Sequence, residues 1–318
     1  MYQYKGEKNM IDVIKTMIGE ICQELSIDYK FVSKDWVLIL EKEGKTKFVA
    51  GYKFDLNEHA MGLIADDKYA LYEVLKYKNI PVIEHEIVYP PSNHLQYATG
   101  CNTYAYVKDY FKKHYGNIVI KPNDGTCGHH VFHVTDIQQI DPILDKLFKC
   151  HSSISICPFY DIKYEYRIVV LNGKAKLLYE KHLPCVIGDG NKSIRELLSE
   201  FNGLYFKDKL KDSKYDKVLK NQEKFQYDWR FNLSCGSVSK KIEEEEIRQK
   251  LILITERLLK QIPLKFGSID IIRTVHDEFF VLEVNSGVML DHYMEQNQNS
   301  YNQVKEIYKE AIKSLFYE

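Results

Sequence analysis

Gly267–Tyr293 reads GSIDIIRTVHDEFFVLEVNSGVMLDHY. Three oxygen-bearing side chains, Asp270, Glu283 and Asn285, stand inside apolar strand sequence. Buried strands rarely hold such residues without a partner. The apolar runs Ser268–Ile272 and Glu278–Val284 flank the polar segment Arg273–Asp277, the pattern of a β-hairpin. A turn centred on His276-Asp277 puts Asp270 opposite Glu283. Period-two alternation puts Glu283 and Asn285 on one face. Opposed carboxylates repel unless a cation separates them. Mg²⁺ fits such a set, because it takes a few protein carboxylates together with phosphate oxygens of a substrate. The same residues also suit solvent-facing positions on an ordinary hairpin.

The chain has 318 residues, room for two domains or for one domain with a mobile part. Hydrophobic content of 45% and charged content of 28% place it among ordinary globular proteins. A net charge of −1 argues against non-specific nucleic-acid binding, which needs a basic face. No run has the length and apolarity of a membrane span, and the N-terminus lacks the layout of a signal peptide. The seven cysteines are scattered and include no CxxC pair, which reads as reduced thiols in a cytoplasmic protein.

The element pattern alternates. Helices are expected at Ile11–Leu25, Asp66–Asn79 (with Asp66 as N-cap), Thr103–His114, Ile137–Cys150, Ser193–Glu200 and Tyr301–Phe316. The run Glu243–Glu246 reads as the acidic first turn of another helix, ending near Gln261. Strands are expected at Trp36–Leu40, Lys47–Phe54, Ile80–Tyr89, Asn117–Lys121, His130–Thr135 and Ile154–Cys157. Glu165–Leu171 and Lys174–Lys181 flank Asn172-Gly173, a strong hairpin signal. Tyr205–Lys224 reads as a solvated excursion, because acids interleave its lysines. The class is α/β (α+β), two sheet-based lobes meeting near Pro158 with a cleft between them.

Three further segments carry chemistry. VIKPNDGTCGHHV (119–131) ends a strand at Lys121 and turns through Gly125, Thr126 and Gly128. Glycine-bearing backbone can approach phosphates closely, and a lysine at the strand end adds a point charge. A plain hairpin connection has the same composition. In the segment 164–181, Glu165 and Arg167 share a strand face, and Glu180 falls opposite Glu165. A nucleotide wall, with Glu165 on ribose hydroxyls and Arg167 and Lys181 on anions, competes with a surface charge cluster. In RFNLSCGS (230–237), Arg230 and Asn232 share a face ahead of Gly236.

Taken in order, these segments resemble the ATP-grasp superfamily of carboxylate–amine ligases, from about Asp66 to the C-terminus. DDKYALYEVLKYKNIPV (66–82) is similar to the family's opening lysine helix and strand, and 119–131 to its phosphate-gripping lysine and flexible loop. Residues 165–197 are similar to cyanophycin synthetases and to the ligase part of bifunctional glutathione synthetases. FGSIDII and FFVLEVNS resemble the metal-binding hairpin. The resemblance implies that Lys68 and Lys121 contact ATP phosphates and that the loop 123–130 closes over them. It places adenine beside Ile156–Phe159, with Cys157 and Phe159 as contacts, and ribose on Glu165. Asp270, Glu283 and Asn285 would hold two Mg²⁺ ions, which Mn²⁺ can replace. Arg167, Lys181, Arg230 and Asn232 would stabilise the transferring phosphoryl group or the substrate carboxylate.

The resemblance also implies a layout. Residues 1–65 form a small N-terminal α/β region and 66–318 the ATP-grasp domain, with about 90–156 as lid and 157–318 as metal- and substrate-binding lobe. The chain departs from the family at the hinge, where Cys157-Pro158 replace a customary glutamate. It departs again after Asn285, where Ser286-Gly287-Val288 replace a small-Pro-Gly turn. Ser286, His292 and Tyr293 are therefore candidate substrate contacts. His292 and Tyr293 equally suit helix-start residues packed on the sheet. The implied activity is amide formation between amino-acid or short-peptide substrates through an acyl phosphate. An ester-forming peptide macrocyclase and a non-catalytic nucleotide-binding regulator are the alternatives. A homodimer or partner subunit could complete the acceptor site.

Overall fold

A computed structural model describes residues 10–91, 103–126, 128–202 and 212–317. The excursion Tyr205–Lys224 lies outside the described residues up to position 211, and Cys127 of the glycine turn lies outside them as well. The chain begins with α1 (Met10–Leu25), then an antiparallel meander of β1 (Asp28–Val32), β2 (Val37–Lys42), β3 (Lys45–Ala50) and β4 (Lys53–Phe54). Glu43 and Gly44 both have positive φ, the requirement of the two-residue turn that joins β2 to β3.

Two helices follow, α2 (His59–Asp66) and α3 (Lys68–Tyr77). The sequence predicts one helix here, capped by Asp66. The cap is Asp67, whose carboxylate accepts from the Ala70 N–H at 2.8 Å. Asp66 instead closes α2, pairs with Lys53 and accepts from Ser286 Oγ. Adjacent aspartates offer two caps, and the extended backbone of Asp67 selects the second. Left-handed Asn79 then ends α3, as its position predicts. The expected strand Ile80–Tyr89 shrinks to β5 (Glu86–Val88), because Pro81 cannot donate to a ladder. Its first part forms only a parallel bridge, from Val82 to Val281.

Next come α4 (Thr103–Lys113), β6 (Ile118–Pro122), β7 (Phe132–Val134), α5 (Ile140–Phe148) and β8 (Ile154–Pro158). The four strands form a sheet in the order β5-β8-β6-β7. Ile118, Ile120, Ile154 and Ile156 face one way and pack with Val107 and Phe111 of α4 and Leu144 and Leu147 of α5. By alternation, Val119, Lys121, Ser155 and Cys157 face the other way. In register, Lys121 lies beside Ser155 and Val119 beside Cys157.

The rest runs β9 (Ile162–Leu171), β10 (Lys174–His182), β11 (Cys185–Ile187), α6 (Ile194–Asn202), β12 (Lys224–Gln226), β13 (Val238–Lys240) and α7 (Glu245–Leu259). It ends with β14 (Phe266–Thr274), β15 (Phe279–Asn285), α8 (Asp291–Gln296) and α9 (Tyr301–Tyr317). The chain divides into two compact units, Met1–Leu178 with Ile242–Glu318, and Tyr179–Lys241.

In the larger unit β14 lies between β9 and β15, antiparallel to both. Tyr166, Ile168, Val170, Ile269, Ile271, Val281 and Val284 line one face of these strands. They pack with Leu71 and Leu75 of α3 and Leu251 and Leu258 of α7. In the smaller unit Glu180–His182 pair with β13, β11 pairs with β12, and Ile194 and Leu198 of α6 join Val186, Tyr215 and Leu219. Among the described residues no helix is long and apolar enough to cross a membrane.

The two aspartates ahead of α3 make different contributions. Asp67→Ala should lower the unfolding free energy by about 1 kcal/mol through loss of the cap. Asp66→Ala should cost less, because its pair with Lys53 is about two-fifths exposed on each side. Urea denaturation of the two variants should show that order.

Candidate active site

The face of β9, β14 and β15 opposite the apolar cluster carries the polar residues in cross-strand rows. Arg167, Asp270 and Glu283 form one row, and Val169, Ser268 and Asn285 the row beside it. Ile272 lies between Glu165 and Phe280 in a third. The expected opposition of Asp270 and Glu283 is present, but it is reached by a different route. The connection is a three-residue loop, Val275–Asp277, closed by the Thr274 N–H donating to the Glu278 carbonyl at 2.9 Å. Asp277 sits there at φ 61°. Continued without interruption, that pairing would bring Leu282 opposite Asp270. A β-bulge between Asp270 and Ile271 leaves Leu282 unpaired and restores Glu283 to the site.

Asp270 is 1% exposed. Its carboxylate takes two hydrogen bonds from Arg167, Nε to Oδ1 at 2.8 Å and Nη2 to Oδ2 at 2.7 Å. A charge so far from water needs such a partner, and the forked guanidinium matches a carboxylate in two bonds. The sequence aims Arg167 at phosphate or substrate, and the fold also gives it this grip on Asp270. Asn285 Nδ2 donates to Glu283 Oε1 at 3.3 Å. Asp270, Glu283 and Asn285 thus gather two carboxylates and an amide on one face. Among the described residues no cluster of three or more His, Cys, Asp and Glu forms a metal site. A hard divalent cation fits the oxygen donors present if a phosphate substrate supplies further ligands.

The same unit brings Lys68 and the glycine turn together. The Lys68 N–H donates to the Asn123 carbonyl at 3.2 Å, and the Tyr69 N–H donates to Asn123 Oδ1 at 3.1 Å. Lys68 Nζ donates to the carbonyls of Asn123 at 3.3 Å and Gly125 at 2.7 Å. The first turn of α3 is therefore strapped to the turn after β6. Asn123 is buried and was not singled out from sequence; its place between Lys121 and Gly125 was the available signal. A Cβ on Gly125 would meet Pro122 Cβ at 2.9 Å, so this close turn requires glycine. Burial lowers the pKa of Lys68, Glu283 opposes that shift, and Lys121 adds to it. The two lysines and one carboxylate of the predicted site therefore act on one another. The Thr126 carbonyl accepts from the His129 N–H, and Gly128 has φ 64°.

Other predicted residues are placed as follows. Lys121 and Cys157 are buried on the polar face of the β5–β8 sheet, and burial pushes the Cys157 thiol up. Phe159 stacks on His133, with ring centroids 3.8 Å apart. Glu165 is buried on the same face as Arg167. Ser286 is buried and donates to Asp66, while the Ser286 carbonyl accepts from Asn57 Nδ2. A Cβ on Gly287 would run into the Tyr52 ring, so the β3–β4 connection closes against this turn. His292 Nδ1 lies 3.0 Å from Glu295 Oε2, and the Tyr293 carbonyl is taken by Asn297. In the smaller unit Lys181 is buried opposite Ser239. There Arg230 forms a two-bond pair with Asp228, and Asn232 caps the turn Leu233–Cys235. Cys22, Cys150, Cys157, Cys185 and Cys235 are free thiols, while Cys101 and Cys127 lie outside the described residues.

No family model matches the sequence, and the comparison with curated proteins gives no match. Solved structures do match. The chain has the ATP-grasp fold. It superposes on D-alanyl-alanine synthetase A from Vibrio cholerae with a TM-score of 0.56 and 11% identity, covering 97% of this chain and 95% of that one. For D-alanine–D-alanine ligase from Bacillus anthracis the TM-score is 0.54 and the identity 14%, over 81% and 71%. For the bifunctional glutathione synthetase from Pasteurella multocida the values are 0.53 and 16%, over 95% of this chain. The chain spans less than half of that last protein, 44% of its length.

The Arg167–Asp270 pair can be weighed directly. Arg167→Met should destabilise the protein by about 3 kcal/mol, because it takes the two-bond guanidinium partner from a buried carboxylate. Adding Asp270→Asn should recover a large part of that loss. A double-mutant cycle by urea denaturation should give a coupling above about 1 kcal/mol; a smaller value would mean that solvent screens the pair.

Proposed function

We propose that the chain is an ATP-dependent carboxylate–amine ligase acting on amino-acid or short-peptide substrates. The observation that carries this reading is the row Arg167–Asp270–Glu283 in the same compact unit as Lys68, Lys121 and the Gly125 turn. Phosphate-binding cations and phosphate-bridging oxygen ligands are thereby supplied together, on an ATP-grasp fold. A nucleophilic serine or cysteine is not needed for this chemistry. The substrate carboxylate attacks the γ-phosphorus and displaces ADP, forming an acyl phosphate. The amine then attacks the acyl carbon, phosphate leaves, and the amine's surplus proton passes to solvent. Positioning and charge neutralisation carry the phosphoryl step.

In this reading Lys68 and Lys121 hold the phosphates. Lys68 has three donors and can turn one to a phosphate oxygen while keeping the Asn123 carbonyl. Asp270, Glu283 and Asn285 hold Mg²⁺, which when bound offsets the charge of the polyphosphate. Arg167 keeps the Asp270 carboxylate oriented. Glu165 takes the ribose hydroxyls, and the backbone around Cys157 and Phe159 borders adenine. Residues 90–156 act as the lid, whose closure would keep water from the acyl phosphate. Arg230, Asn232 and Lys181 serve the substrate carboxylate, as the family resemblance implies. The turn at Ser286 and the helix bearing His292 and Tyr293 set substrate choice, with Tyr52 and Asn57 of the N-terminal region supporting that turn. ATP supply and free thiols suit a cytoplasmic setting.

The test is turnover. Purified protein with ATP, Mg²⁺ and pooled amino acids and dipeptides should release ADP and phosphate and yield a product whose mass is that of the two joined substrates less one water. Lys121→Met and Glu283→Gln should each cut that release by on the order of 100-fold or more. Glu283→Gln is the cleaner metal-site variant, since it spares the Arg167–Asp270 pair. Unchanged release in both variants would remove these residues from the phosphoryl step.

A further inference from the structure

His85 has no part in the site as described so far. It stands one residue before β5 and is 1% exposed. Its Nδ1 lies 2.7 Å from Ser155 Oγ, and the ring meets Tyr72 edge-on. Its Nε2 is buried and has no hydrogen-bond partner among the described residues. Ser155 pairs in register with Lys121, so the imidazole belongs to the sheet face that carries Lys121 and Cys157. The charges of Lys121 and Lys68 both reach it. Burial first, then those two lysines, hold its pKa well below the usual histidine range, which makes the ring neutral at pH 7.

A histidine that served only to fill the core would be a poor choice here. One nitrogen is satisfied by Ser155, while the other bears the cost of burial without a bond, which a phenylalanine would avoid. The orphan nitrogen is accounted for if a ligand takes it. Because the charges of two ammonium groups reach the ring, the ligand with the right chemistry is a phosphate oxygen. A third cation would be repelled by the first two, whereas a neutral N–H adds a bond to the anion without that repulsion.

We propose that His85 is a third phosphate-binding residue, donating from Nε2 to the polyphosphate held by Lys68 and Lys121. In this arrangement the Ser155 hydroxyl donates to Nδ1 and so keeps the ring proton on Nε2. Ser155 is thus a positioning residue, acting through His85. The inference rests on the ATP reading above and adds to it a binding residue and its supporting hydroxyl.

The test combines affinity with stability. The double variant His85→Phe/Ser155→Ala removes both partners of the buried bond and leaves no orphan. By calorimetric titration its Kd for ATP and for ADP, each with Mg²⁺, should rise on the order of tenfold. Its thermal midpoint without nucleotide should be no lower than that of the wild type. His85→Gln, whose amide can donate, should lose less affinity than the double variant. In the wild type, ¹⁵N-histidine spectra should show the Nε2–H tautomer and a shift of the His85 Nε2 resonance on addition of ADP. That measurement decides the matter even if the variants do not fold. Wild-type affinity in a folded double variant, or an unmoved Nε2 resonance in nucleotide-saturated protein, would overturn the role of His85 and leave the ATP reading standing. Failure of the wild type to bind either nucleotide would overturn both.

Discussion

A carboxylate out of reach of water sets the terms for this molecule. Asp270 lies on β14, between β9 and β15, and its charge is tolerable there because Arg167, on the neighbouring strand, meets it with two hydrogen bonds. That requirement fixes the alignment of β9 against β14. The apolar residues on the reverse face fix the same alignment, since a slip of one residue would turn Ile168 and Ile269 out of the core. Packing and electrostatics thus agree on one register. The polar row that results, with Glu283 on the far side of Asp270, is a by-product of core packing and available for chemistry.

A second constraint ties the helix α3 to the glycine turn. The first N–H groups of a helix lack partners within it. Here Asp67 satisfies one, and Asn123 satisfies two more from across the structure. The Lys68 side chain adds two bonds to the same turn. Lysine, turn and helix start therefore hold one another in place, and Lys121 at the end of β6 is carried along. The electrostatic cost is visible in Lys68, whose pKa falls through burial and the nearby Lys121 and is partly restored by Glu283. An anionic ligand would relieve that strain between like charges.

Local rules were legible where short-range chemistry decides. Asn172-Gly173 predicts its turn, and both residues adopt positive φ. The Asp270–Glu283 opposition was also readable, but for an incomplete reason. The expected two-residue turn is a three-residue loop, and the bulge at Leu282 cancels the error. Val281 and Val284 are both buried although three positions apart, a break in alternation that marks such a bulge. The helix α2 was missed because it is short and contains Gly62, so its stability comes from packing through Met61 and Ala65. Asn123 and His85 were missed for a different reason. A single polar residue in a turn or before a strand has no periodicity to betray it, and its partners lie far along the chain.

Sequence by itself determined the alternation of helices and strands, the two hairpins, the apolar faces and the kinds of donor present. Each follows from interactions between residues a few positions apart, which repeat with the period of the backbone. Tertiary structure alone decided that Arg167 grips Asp270, that Asn123 receives the start of α3, and that one nitrogen of His85 is left without a partner among the described residues. Those outcomes depend on which distant groups share a buried volume. Burial is also what raises their electrostatic stakes, because a charge or an N–H removed from water must find its partner inside the fold.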